Sequence, residues 1–82
     1  MNPEYLGQML AAKVGKRWIL GMVVGETSTY GRHYKAEWYC EEGNEMLVYH
    51  RSLNESQVQA YAKAYQNKVR LLIHKGIFRH DR

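Results

Sequence analysis

The side chains of this 82-residue chain that could ligate a metal or act on a substrate are four histidines, one cysteine and a few carboxylates. Zinc sites and metal-dependent hydrolases need spacings such as His-x-x-x-His or Cys-x-x-Cys, which set the ligands on one face of an element. His33, His50, His74 and His80 fit no such pattern, and Cys40 has no second thiol. Glu41, Glu42 and Glu45 cluster, but without the spacing of a calcium loop, and a solvated turn accounts for them. A nucleophilic thiol needs exposure and a cationic neighbour. Cys40 instead alternates in phase with Ala36 and Trp38, which predicts a small apolar core residue. Gly21 and Gly25 flank Met-Val-Val, but the helix and the Lys-Ser/Thr that complete a phosphate loop are missing. No catalytic set, metal or cofactor is expected, and the chain reads as a non-enzyme.

Binding chemistry is richer. Seven Tyr, two Trp and one Phe give a large supply of rings, which serve binding surfaces and single-strand nucleic-acid platforms as well as cores. Trp18, Trp38, Tyr61 and Tyr65 lie on expected inward stripes and are assigned to the core. Tyr30, Arg32 and His33 fall at a loop with no evident core demand, which makes them a candidate ligand loop. Charge is unevenly placed. Residues 1–67 hold seven Lys/Arg and seven Glu, whereas the last fifteen hold Lys68, Arg70, Lys75, Arg79 and Arg82 against Asp81 alone. Such an end can contact phosphates, and it equally suits a helix C-terminus, where cations favour the dipole.

These residues must be positioned by elements that the hydrophobic period reveals. Up to Leu53 the pattern has period two, with Tyr34, Ala36, Trp38 and Cys40 on one face. Beyond it, Val58, Tyr61, Ala62, Tyr65, Val69, Leu72 and Ile73 recur every third or fourth residue, as on a helix. Residues 5–13 suit a short helix or a first strand at 8–13. Trp18 to Val24 predicts a central strand covered on both faces, with a bulge or a close backbone approach at Gly21. His33–Glu41 and Met46–Arg51 flank Glu42-Gly43-Asn44-Glu45, the signature of a two-residue type II′ hairpin. That turn sets Cys40 opposite Leu47, Trp38 opposite Tyr49, Tyr39 opposite Val48 and Glu37 opposite His50. One face, Ala36, Trp38, Cys40, Leu47 and Tyr49, is assigned to the core. The other includes Tyr39, Met46 and Val48, too apolar for a fully wet surface, so that either a helix or a partner covers it, and it is a candidate protein-interaction face. Asn54 and Gln57 predict a capping box, with Leu53 and Val58 as its hydrophobic staple. The helix is expected over 54–75, a break near Asn67 with Val69–Ile73 as a last strand being the alternative.

Val14-Gly15-Lys16, the strand ending Leu20-Gly21-Met22-Val23-Val24, the polar loop and Tyr34–Trp38 together resemble the small Tudor-like, SH3-like barrels. Their order is also similar to that in short uncharacterised proteins of tailed phages. The resemblance covers about half the chain and implies a small barrel. The aromatic cage of Tudor readers has no residue-by-residue counterpart here, so that activity is not carried over.

The expected architecture is thus one domain, 1–82, mostly β within α+β. A bent antiparallel sheet or SH3-like barrel of four or five strands (about 6–52) precedes a C-terminal helix and a basic tail, 76–82. Domains this short bury only about 60–65% of their unfolded surface and often gain stability from a disulfide, a metal or a second copy. With a single cysteine, self-association is the expected source, in a reducing cytoplasm with no signal or membrane segment. The functional expectation is a binding or assembly module, a homo-oligomer or a protein's partner. The alternative is a nucleic-acid-associated protein.

Overall fold

The structure is a computed structural model that describes residues 5–26 and 33–74. Four strands, β1 (Met9–Val14), β2 (Arg17–Glu26), β3 (His33–Glu42) and β4 (Glu45–Asn54), precede one helix, α1 (Glu55–His74). The strands form one antiparallel sheet in the order β1-β2-β3-β4. The molecule is therefore α+β and mostly β. Among the described residues the sheet is open, with β1 and β4 as its edges. No described helix is long and apolar enough to cross a membrane.

Residues 9–14 take the strand form. The turn that follows has Gly15 at φ +64°, with Val14 and Arg17 paired across it. The β3–β4 turn has Gly43 at φ +62° and no positive φ at Asn44, as a type II′ turn requires. Its register matches the sequence expectation at every position: Cys40 against Leu47, Trp38 against Tyr49, Tyr39 against Val48 and Glu37 against His50. The bulge in β2 lies at Val24, between Val23 and Gly25, not at Gly21. Gly21 is instead the point of close approach. A Cβ there would lie 2.6 Å from Cε3 of Trp38 and 2.7 Å from the Glu37 carbonyl oxygen.

The core occupies one face of the sheet and joins Leu10, Val23, Tyr34, Ala36, Trp38, Leu53 and Val58. α1 packs chiefly along β1 and touches β3 and β4 only lightly. It runs unbroken to His74, without a strand at 69–73. Its start is fixed by reciprocal bonds: the Asn54 N–H donates to Gln57 Oε1 at 2.9 Å, and the Gln57 N–H donates to Asn54 Oδ1 at 2.8 Å. Leu53 and Val58, both buried, complete the staple. Removing the cap by Asn54→Ala should cost about 1 kcal/mol, read as a lower denaturant midpoint at unchanged slope. The start of the described chain is tied to the same end of the helix. The Tyr5 hydroxyl donates to Glu55 (3.0 Å) and accepts from Gln59 (2.9 Å), while its ring meets Tyr34 edge-on at 5.1 Å.

Five core assignments need correction. Trp18 is 42% exposed, so β2 is not covered on both faces. Tyr49 is 46% exposed although it shares the inner face with Trp38. Tyr65, Cys40 and Leu47 are only half-buried. For the sheet residues the reason is the path of α1, which shields the β1 side of the inner face and leaves β4 open, as well as Leu20, Met46 and Val48 on the outer face.

Candidate functional site

The outer face of the sheet carries four exposed large apolar side chains. Register places Leu20, Tyr39 and Val48 in one row across β2, β3 and β4, with Met46 opposite Glu41 in the next. Trp18 and Leu20 are each 42% exposed, Val48 48% and Met46 60%. The structure thus brings Tyr39, Met46 and Val48 together, and adds Trp18 and Leu20, which the sequence reading had placed under cover. A polar cluster adjoins them. Glu37 pairs with His50 Nε2 at 3.2 Å and accepts the Tyr39 hydroxyl at 3.0 Å. Partial burial, then the Glu37 carboxylate, hold the Tyr39 phenol above its ordinary range.

Behind the sheet, the part of the inner face that α1 leaves open forms a groove of about 470 Å³. Trp38 and Tyr61, edge to face at 5.4 Å, lie at its helix side, while Cys40, Tyr49, Arg51 and Gln57 contribute to its other walls. Cys40 is half-buried here rather than enclosed in the core. The Tyr49 hydroxyl lies 3.4 Å from Glu42 Oε2, and that carboxylate, with partial burial, raises the Tyr49 phenol. The groove was missed in the sequence because alternation identifies a shared face without saying how much of it a helix covers. One signal was available: Glu45 and Arg51 share the face of Leu47 and Tyr49, and two charges on a supposed core face mark it as open there.

The other candidates are dispersed. Tyr30 and Arg32 lie outside the described residues, as do Lys75, Arg79 and Arg82. His33 pairs with Asn54 across the β3–β4 ladder, and its Nδ1 is buried without a hydrogen-bond partner among the described residues. Lys68 and Arg70 do not form a shared cationic face. Two residues apart, they point to different sides of α1, and the Lys68 ammonium lies 4.9 Å from the centroid of the Trp18 ring while Arg70 is exposed. Among the described residues, no three His, Cys, Asp or Glu side chains gather as around a metal ion. No protein-family model, curated protein or solved structure matches the chain.

Proposed function

We propose that this protein is a non-enzymatic assembly module that binds copies of itself, or a protein partner, through the exposed side of its sheet. The observation that carries the reading is the row of outward apolar side chains, Trp18, Leu20, Met46 and Val48, each between 42% and 60% exposed. Side chains of this size, contiguous on one face, lose contact with water when a protein surface covers them. The single cysteine supports a reducing cytoplasm as its setting. The run of two short-turned hairpins with a bulged second strand supports an architecture of the SH3-like or Tudor-like kind, similar to the small tailed-phage proteins.

Light scattering at low and high salt tests this reading. The expected mass is a multiple of the 9.7 kDa chain, unchanged by salt because apolar association is not screened. A monomer under both conditions would overturn it.

A second reading has one observation in its favour, the confinement of the whole net charge of +4 to the last fifteen residues. Lys68, Arg70, Lys75, Arg79 and Arg82 would then contact the phosphates of a nucleic acid, with Tyr30 or Arg32 near bases. Affinity for an oligonucleotide should in that case fall steeply and linearly with salt on a logarithmic scale.

A further inference from the structure

We propose that two copies of the chain join edge to edge along β4, antiparallel about a two-fold axis at Val48, to make one continuous eight-stranded sheet. This inference rests on the self-association just proposed and places a contact at the sheet edge, where Met46 and Val48 of the outer face meet the second copy. β4 is ten residues long, contains no proline and pairs with β3 without a register shift, so neither shortness, a proline nor a bulge interrupts this edge. The other edge, β1, has α1 against it.

The backbone direction is set by the turn. Glu42 and Glu45 flank two turn residues and so form a hydrogen-bonded pair. Alternation then turns the N–H and C=O groups of Met46, Val48 and His50 away from β3, toward the free edge. Antiparallel pairing of two such edges admits two-folds at Leu47, Val48 or Tyr49. A two-fold at Leu47 puts Glu45 against Tyr49, and one at Tyr49 puts Arg51 against Leu47. The Val48 register alone sets Glu45 opposite Arg51 of the second copy at both ends, with Leu47 against Tyr49, Met46 against His50 and Val48 against Val48.

Charge supports that choice. Within the chain, Glu45 faces Glu42, a like-charge pair across the ladder, which is unfavourable when directly opposed. Arg51 faces Ala36, six residues and about 20 Å along the strand from Glu45. Glu45 and Arg51 are both exposed. The second copy would bring a cation to the acidic end and an anion to the basic end. It would also lay Leu47 against Tyr49 beside the groove.

The test compares Glu45→Arg, Arg51→Glu and Val48→Pro with the wild-type chain, by light scattering and analytical ultracentrifugation over a concentration series. Either charge variant alone opposes like charges at both ends, and its dimer Kd should rise at least roughly tenfold. An equimolar mixture of the two should form a heterodimer of wild-type affinity, because every charged pair is then opposite. Val48→Pro removes an N–H that β3 does not use, so the monomer should keep its circular dichroism while dimerisation is lost. If the wild type associates but these variants leave its Kd unchanged, the edge pairing is overturned while self-association stands, through the outer face or α1. If the mixture fails to pair, the Val48 register is overturned. A wild-type chain that stays monomeric overturns both the pairing and the reading beneath it.

Discussion

Trp38→Ala should leave the chain only marginally folded at room temperature. The indole is only 8% exposed, lies over Gly21 and meets Tyr61 edge to face at 5.4 Å, so it joins the sheet to the helix in one side chain. Truncating a buried Trp to Ala costs about 3–5 kcal/mol. A domain of this size starts near the low end of stability, about 5 kcal/mol, so the loss consumes most of what holds it folded. Urea titration followed by circular dichroism reads the effect, and Trp18 remains as a fluorescent reporter. Trp38→Phe keeps a ring over Gly21 and should retain a cooperative transition at a lower midpoint. A Trp38→Ala transition within 1 kcal/mol of wild type would contradict the central role given to this ring.

Gly21→Ala should be the most damaging Gly→Ala change among the described residues. The added Cβ meets the Trp38 ring at 2.6 and 2.8 Å and the Glu37 carbonyl oxygen at 2.7 Å. The ring can tilt, but the carbonyl belongs to the β3 backbone and yields only if the ladder moves. Overpacking of this kind costs about 1–3 kcal/mol, and the backbone clash puts Gly21→Ala at the upper end. At about 4–8 °C per kcal/mol for a domain this small, Tm should fall by roughly 10 °C or more. Trp38→Phe in the same chain should relieve the closest ring contact, that with Cε3, and not the carbonyl contact. A double-mutant cycle should therefore show favourable coupling that stops short of full rescue. Strictly additive losses would place the strain somewhere other than between these two residues.

How much of this could be read in advance depended on whether the signal was local. Gly43-Asn44 determines the β3–β4 register because a two-residue turn leaves no freedom to slip, and the register followed residue by residue. Asn54, Gln57, Leu53 and Val58 signal the helix start within five positions, and both capping bonds are made. Gly21 was recognised as unusual in a strand, though alternation could not decide between a bulge and a close approach. The deciding fact is Trp38, seventeen positions away. Coverage was legible only in Glu45 and Arg51, two charges on the inner face. A helix about 10 Å across shields roughly two strands spaced about 4.8 Å apart, and nothing in the period tells which two. Trp18 and Tyr49 were assigned to the core for that reason, and the same half-coverage produces both the groove and the open edge. The hairpin register sets Tyr39, Met46 and Val48 near one another on one face, while the groove lined by Trp38, Tyr49 and Tyr61 was not foreseen.

The order of the strands in the sheet is also their order in the chain, and that bears on how the molecule folds. Each ladder is closed by its own connection, so the sheet can zip from turn to turn with little loop-closure entropy at any step. The long-separation bonds are those of Tyr5 to Glu55 and Gln59, fifty and fifty-four residues apart. They form only once α1 swings back over β1. Docking of the helix is thus the costly step in folding, and its release the cheapest large-scale opening. Native-state hydrogen exchange should find the amides of β2 and β3 protected to the level of global unfolding. Those of α1 and β1 should exchange together, through an earlier and smaller opening.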